Sequence, residues 1–505
     1  MTSGTSFTSP CKTLIISSMN TMTPAGLRFQ KVLPKSPKIQ ITLVLLQPCR
    51  ARPCRSRQYY LRGLALWVPE VLSYRDMNIA CIGTGFVGVV TAGVFAKLGN
   101  SVIGLDIDEK KIGSLRQGIV PFFEPGLGEL LIETQKTGNL TFTTDYNTGI
   151  KDADIVMIMV GTPSSPDGQA DLKYVFAASE SLAPHLKDGA IVIIKSTVPP
   201  GTNVKVREII ASKTKVSFEM ASVPEFLKEG TAVHDTLHPD RVVIGVESDR
   251  ARNILVELHT PLTSNVIIMR PESAQMCKYA ANNYLATRIT FINQIADLCE
   301  KNGANIEEVI RGIGADKRIG KHYWYPGLGY GGSCFPKDVK EIAAYAHSVG
   351  ESESLFIKID DLNEKRISKL MVQYDQLVGG FDGKTVTVLG LSFKKNTNDT
   401  RVAPALQVIP WLLGKGAKVV ATDPKAIEDI RPLLPVAVTY TTDVYSAVNG
   451  AHVIMLLIEW DEYKHLDLAK MSESMLSPKY FFDTRNQYEP VVVISAGFKY
   501  KGVGR

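Results

Sequence analysis

At 505 residues the chain is too long for one ordinary domain; at roughly 150 residues each, the prior is about three. Hydrophobic residues at 45% and charged residues at 21% exclude a mostly disordered chain, and no apolar run approaches the roughly 20 residues of a membrane-spanning helix. The formal charge of +6 is uneven: residues 1–76 carry eleven basic and two acidic side chains, so the remaining 429 residues are mildly acidic and give no electrostatic reason to expect a nucleic acid or membrane partner.

Residues 1–76 are rich in Ser, Thr, Pro and Arg and show no sustained periodicity. Three readings stay open for this leader: an unstructured or upstream stretch with Met77 as the working start, a transit peptide, or an extra domain. It is expected to be dispensable for folding. Cys11, Cys49 and Cys54 lie in it. Cys81, Cys277, Cys299 and Cys334 follow without a C-x-x-C pair or clustered His, so neither a metal site nor a disulfide framework is expected. A reducing, cytoplasmic compartment is the default.

At Met77 the texture changes. Residues 78–82 form a short apolar run, followed by Gly83-Thr84-Gly85-Phe86-Val87-Gly88 and an apolar helical stretch to Leu98. Residues 101–105 read as a second strand ending at Asp106, and 155–160 and 190–194 as further strands between helical segments. This alternation predicts a parallel, doubly wound sheet. The glycine pattern sits between strand and helix, 18 residues before the acidic Asp106, the context of a dinucleotide-binding turn. Gly83 allows the turn, Gly85 the approach of a pyrophosphate and Gly88 close helix–strand packing. Asp106 favours NAD over NADP by repelling a 2′-phosphate, an argument that Lys110 and Lys111 weaken.

Pro224 to Gly230 reads as a short helix with Glu225 and Glu229 at i,i+4, which without context is solvated surface. Pro271 to about Gly303 reads as one long helix able to bridge two lobes; Lys278 and Asn282 share a face and interrupt its apolar pattern. In Gly329-Tyr330-Gly331-Gly332-Ser333-Cys334-Phe335-Pro336-Lys337-Asp338, Pro336 opens a helix, placing Cys334 ahead of its N-terminus and near Lys337, both of which favour thiolate. Asp338 in the first turn is placed to accept a proton or order a water. Strands recur at 384–389, 418–421, 452–458 and 480–483. The expected architecture is α/β: two Rossmann-like doubly wound lobes joined by a long central helix and preceded by an unstructured leader. The boundaries are 1–76 (leader), 77–270 (NAD-binding), 271–376 (central helical) and 377–505 (a second Rossmann-like lobe). The second lobe replaces the glycine fingerprint with Gly390-Leu391-Ser392-Phe393-Lys394-Lys395, suited to a different phosphate-bearing ligand.

From Met77 onward the chain resembles the UDP-glucose/GDP-mannose dehydrogenase family. The resemblance is carried by MNIACIGTGFVG, FEPGLGELL, VGTP, KSTVPPGT, PEFLKEG, PDRVVIG, KYAANNYLATRI, GADKRIG, GYGGSCFPKD, SFKKNTNDTR and GVGR, in family order. It implies oxidation of a nucleotide-sugar C6 alcohol, UDP-glucose first, to a carboxylate with two NAD per turnover. Cys334 would form a thiohemiacetal and then a thioester, with Lys278 stabilising the oxyanion and Asn282 beside it. Asp338 and a water near Thr162 would handle protons, Glu229 would assist hydrolysis, and Glu225 would contact substrate. The resemblance further implies Tyr323, Trp324, Tyr325, Tyr330, Gly331, Phe393, Lys394 and Arg485 around the nucleotide sugar. Arg318 would reach the neighbouring subunit's substrate, implying at least a homodimer. Gly83, Gly85, Phe86, Val87, Gly88, Asp106, Lys111, Thr162, Glu229, Lys337 and Arg401 would line the NAD side.

Val223, Trp324-Tyr325, Val402-Ala403 and Thr484 depart from the family pattern, and Trp324 and Tyr325 bear most on substrate preference. GDP-mannose and UDP-N-acetylhexosamine remain alternative substrates. A simple two-electron dehydrogenase would need no Cys334, and a non-catalytic NAD-binding regulator would need none of the cluster.

Overall fold

The structure, a computed structural model, describes residues 76–505; the leader up to Arg75 lies outside the described residues. Eight strands form the first sheet: β1 (Asn78–Ile82), β2 (Ser101–Leu105), β3 (Leu140–Thr143), β4 (Ile155–Ile158), β5 (Ala190–Ile194), β6 (Phe218–Ser222), β7 (Val242–Val246) and β8 (Val266–Met269). Their spatial order is β3-β2-β1-β4-β5-β6-β7-β8. The near-continuous apolar runs of β1, β4 and β5 are explained by apolar clusters on both sheet faces, the normal condition of a parallel sheet covered by helices. The sheet is parallel except at β6 and β7, where Ala221 faces Val246 and Ser222 faces Gly245 in antiparallel register. Between these two strands the chain has only the short helix Ala232–Leu237 and no full crossover helix.

The second sheet comprises β9 (Thr385–Leu389), β10 (Lys418–Thr422), β11 (Thr439–Tyr440), β12 (Val453–Leu456), β13 (Tyr480–Asp483) and β14 (Lys499–Gly502). It is wholly parallel, in the order β11-β10-β9-β12-β13-β14. In both sheets the first strand lies inside and the chain reverses direction around it. That switch point leaves a crevice at the strands' carboxyl ends.

The 32-residue helix Pro271–Asn302 joins the halves; at 1.5 Å per residue it is about 48 Å long. Proline occupies its first turn and Gly303, at φ 79°, ends it. Its beginning lies directly on β7, where a Cβ on Gly245 would stand 2.8 Å from Ala274 Cβ. Its far end meets the second half: Arg366 pairs with Asp297, and Glu300 Oε1 accepts from Gly504 N at 2.7 Å. Among the described residues no helix is long and apolar enough to cross a membrane.

Candidate active site

The turn after β1 is built by absent side chains. Gly83 has φ 95°, and a Cβ there would stand 2.7 Å from Met159 O; a Cβ on Gly88 would come within 1.8 Å of Gly83 O. At Gly85, by contrast, nothing lies within 4 Å, leaving an open backbone face. Gly85 caps the helix Phe86–Lys97 with no side-chain bond, so its first N–H groups are free for an anion. Phe86 stacks at a tilt on Phe122, centroids 4.8 Å apart, and Val87 packs beside it. Asp106 Oδ2 accepts from Thr84 N and Oγ1, both at 2.8 Å, and from Lys111 Nζ at 3.1 Å. Burial works against this carboxylate, but Thr84, Asp108 and Lys111 outweigh it and hold it below the usual range. An open glycine cradle with an ionised carboxylate at the next strand end fits a dinucleotide.

Cys334 is the N-cap of the helix Phe335–Ser348, with Pro336 in its first turn. The residue is exposed, yet protein crowds its thiol and pushes it above the ordinary cysteine value; Lys278 opposes this, while Glu225 and Asp338 add to it. This corrects the expectation of a thiolate favoured by Lys337. The Lys337 ammonium is committed elsewhere, to Asp338 Oδ1 at 2.7 Å and Glu341 Oε2 at 3.0 Å. The cation facing the thiol is Lys278, which is buried and paired with Glu225 Oε1 at 3.1 Å. One turn further along the central helix, Asn282 Nδ2 donates to Asp338 Oδ2 at 2.5 Å. The i,i+4 pair therefore does point at a polar site.

Pro224 to Lys228 is not helical, so the expected solvated carboxylate pair is absent. The segment runs as a loop pinned from 106 residues away: Glu124 accepts from Gly230 N at 2.6 Å and from Ala232 N at 2.7 Å. Glu225 and Glu229 are thereby turned inward. Glu229 accepts from Ser333 Oγ at 3.2 Å and Thr397 Oγ1 at 3.5 Å, and pairs with Arg401 at 3.4 Å. Burial and the neighbouring Asp399 push its carboxyl up to about 7, against the pull of Arg401. Thr162, also buried, donates to Thr197 O at 2.9 Å.

On the other side of the catalytic loop, a Cβ on Gly331 would meet Val402 O at 2.3 Å, and one on Gly332 the Phe393 ring at 2.6 Å. Lys394 lies 5.5 Å from that ring. Burial lowers its ammonium, while Glu229, Glu124 and Cys334 raise it, which places it over the same cleft. Arg485 is buried against Glu459 and senses Tyr325. Tyr323, at φ 63°, packs on Tyr325 and Phe335. Tyr330 is held by Asn363, which accepts from its N–H at 2.9 Å and donates to its carbonyl at 3.0 Å. Two expected residues are not gathered in. Trp324 turns into a small core, donating to Gly320 O at 2.9 Å with Arg288 3.8 Å over its ring. Arg318 has its side chain 88% exposed and pairs only with Asp316 among the described residues.

Three family models match the chain in order: the NAD binding domain over residues 77–263, the central domain over 272–365 and the UDP binding domain over 387–490. The chain belongs to the UDP-glucose/GDP-mannose dehydrogenase family. It is 44% identical to a UDP-glucose 6-dehydrogenase of Bacillus subtilis over 85% of this chain and 93% of that one, and 41% identical to one of Pseudomonas aeruginosa over 85% and 98%. A UDP-glucose dehydrogenase structure from Pyrobaculum islandicum matches with a TM-score of 0.80 at 36% identity, covering 86% of this chain and 99% of that one.

Within this family frame, several residues of the site were not singled out from the sequence. Glu124, Thr397 and Asp399 shape the Glu229 pocket from distant segments. Glu341 and Tyr279 lie behind Asp338. Lys195, at the end of β5, is buried beside Glu225 and Lys278, and burial pushes its ammonium down to about 8. All but Glu341 lie in motifs that carry the family resemblance: Glu124 in FEPGLGELL, Lys195 in KSTVPPGT, Tyr279 in KYAANNYLATRI, and Thr397 and Asp399 in SFKKNTNDTR.

Proposed function

We propose that this dehydrogenase oxidises the C6 alcohol of UDP-glucose to UDP-glucuronate with two NAD, through covalent adducts on Cys334. The observation that carries the reading is the gathering of the Cys334 thiol, a buried Lys278–Glu225 pair and an Asn282–Asp338 pair beside Lys394 and the Glu229 pocket. When bound on Gly83, Gly85, Gly88 and Asp106, NAD supplies the hydride acceptor for both oxidations. The C6 hydroxyl gives its proton to Asp338, with a water near Thr162. Cys334 adds to the resulting aldehyde as a thiohemiacetal, whose oxyanion Lys278 stabilises. Loss of the second hydride leaves a thioester, and water assisted by Glu229 cleaves it to carboxylate and free thiol.

Glu225 positions the sugar. Phe393, Lys394, Tyr323, Tyr325, Tyr330, Gly331 and Arg485 form the nucleotide side, while Arg401 closes over Glu229. Trp324 supports this side from its core. A homodimer is supported by the exposed apolar stripe Tyr284, Phe291 and Leu298 on the central helix and by the free reach of Arg318. Four unpaired cysteines among the described residues suit the cytoplasm.

The covalent route is tested with Cys334→Ser. Intact mass spectrometry after incubation with UDP-glucose and NAD should show a stalled ester or aldehyde-level product, with NADH below two per sugar. Two NADH per sugar at near wild-type rate would eliminate the route. The same count with GDP-mannose and UDP-N-acetylglucosamine settles the sugar.

A further inference from the structure

Behind Asp338 lies a second buried carboxylate. Glu341, one turn further along the helix Phe335–Ser348, is 2% exposed. It accepts from Tyr279 Oη on the central helix at 2.8 Å and from Lys337 Nζ at 3.0 Å. The same ammonium pairs with Asp338 at 2.7 Å. One cation thus serves two buried carboxylates. Asp338 is fixed in place by Asn282 on its side chain and by Asn283 Nδ2, which donates to its carbonyl at 3.2 Å.

The charged and titratable groups facing this cluster are few. Lys337 comes from its own helix, Lys278 and Tyr279 from the central helix, and Cys334 from the catalytic loop. The helix Leu355–Glu364 packs on the same helix, but its Asp360 and Glu364 meet Lys340 instead. Burial raises the Glu341 carboxyl, Lys337 opposes this, Asp338 adds to it, and the Tyr279 hydrogen bond lowers it again. Two carboxylates beside one cation repel each other, so the share of the cation held by one depends on the charge of the other.

We propose that Glu341 and Tyr279 are positioning residues for the reaction: Glu341 takes part of the Lys337 charge, Tyr279 holds Glu341 in place, and Asp338 is left free to accept the C6 hydroxyl proton. The role in proton transfer rests on the proposed function. Glu341 does not touch the reacting carbon and acts only through Lys337 and Asp338. Given the whole ammonium, Asp338 would be a weaker base.

Two variants test this, Glu341→Gln, which keeps the shape and removes the charge, and Tyr279→Phe, which removes one hydrogen bond. The first readout is the pH profile of kcat/KM for UDP-glucose. The second is the pH profile of Cys334 alkylation by iodoacetamide, which needs neither substrate nor cofactor. In Glu341→Gln the whole Lys337 charge falls to Asp338, one of the carboxylates that raise the Cys334 thiol, so both profiles should move to lower pH by about half a unit or more. KM for UDP-glucose should stay within about twofold, with the loss falling on kcat. Tyr279→Phe should move both profiles in the same direction by less, and it carries the test alone if Glu341→Gln does not fold. Alkylation profiles superimposable on wild type in the folded variants would overturn the proposal, even if turnover or thermal stability fell. A wild-type enzyme that forms no NADH from UDP-glucose would instead overturn the proposed function, with the alkylation profiles still deciding the roles of Glu341 and Tyr279.

Discussion

Lys278→Met keeps most of the side-chain volume and deletes the charge. The ammonium and Glu225 are 3.1 Å apart, with side chains only 4% and 9% exposed. Burial works against this ammonium, yet Glu225, Cys334 and Asp338 hold it above the ordinary lysine value. Because its folded value is raised, the stabilisation is fully present at neutral pH and is lost only as pH climbs through that raised value. Removing one member of a buried pair strands the other and costs about 3–5 kcal/mol. If Lys278 stabilises the oxyanion as proposed, its loss costs a further factor of about 10² to 10³ in kcat. The two effects separate in the double variant Lys278→Met with Glu225→Gln, which leaves no stranded charge. Urea midpoints should fall in the single variant and largely recover in the double, whereas turnover of UDP-glucose should stay low in both. The thiol should also alkylate more slowly at neutral pH, since Lys278 is the first charge opposing its rise. A single variant as stable as wild type, or a double variant that regains turnover, would refute this account.

Glu229 holds its proton more tightly when folded, near pH 7. Wild-type stability should therefore rise as pH falls from about 7 toward the ordinary carboxyl range near 4.3, and Glu229→Gln should lack that slope. Equal slopes of unfolding midpoint against pH would count against the buried carboxyl. Asp106→Ser should raise the NADP-to-NAD ratio of kcat/KM at least about tenfold, because it removes a repelling charge and frees Lys111; an unchanged ratio would dismiss Asp106 as the selector. Arg318→Ala and Cys334→Ser should each form little UDP-glucuronate alone. If Arg318 serves the partner's site, mixed and reassembled protomers should regain about a quarter of wild-type activity, and no recovery would reject that reach.

The strands and turn that hold the cofactor side were legible because their signals are local. The apolar runs at 78–82, 101–105 and 190–194 match the strands residue for residue, and the turn closes within one βαβ unit, where a Cβ on Gly88 would strike Gly83 O and Gly83 N donates to Leu105 O at 2.7 Å. Lys278 and Asn282 were legible as a break in helical periodicity. The Pro224–Gly230 segment was misread because its conformation is imposed by Glu124, Ser333 and Thr397, each at least about a hundred positions away. Nothing in its own i,i+4 spacing reports such partners. Lys337 was misread for a similar reason: neighbours in sequence on a helix turn do not share a direction, and Glu341 at i+4 drew its ammonium away from the thiol. Trp324 read as a recognition residue from its place in the resemblance, whereas its core partners lie on the central helix, Ile292 and Ala296, and in the closing GVGR motif, Val503.

The catalytic loop touches the second half backbone to backbone. Gly331 abuts the Val402 carbonyl, Gly332 the Phe393 ring, and Gly332 N donates to Arg401 O at 3.0 Å. No side chain fits at either glycine without forcing these surfaces apart. Neither glycine therefore offers a position at which a variable side chain can reach a ligand. Any re-engineering toward a different substrate has to leave both glycines untouched and act from their surroundings or from the rim, where Tyr325 is half open to solvent. A library that randomises residues 329–334 should yield dead proteins at nearly every substitution of Gly331 and Gly332, whereas one directed at Tyr325 and its surroundings keeps the chemistry and varies the choice.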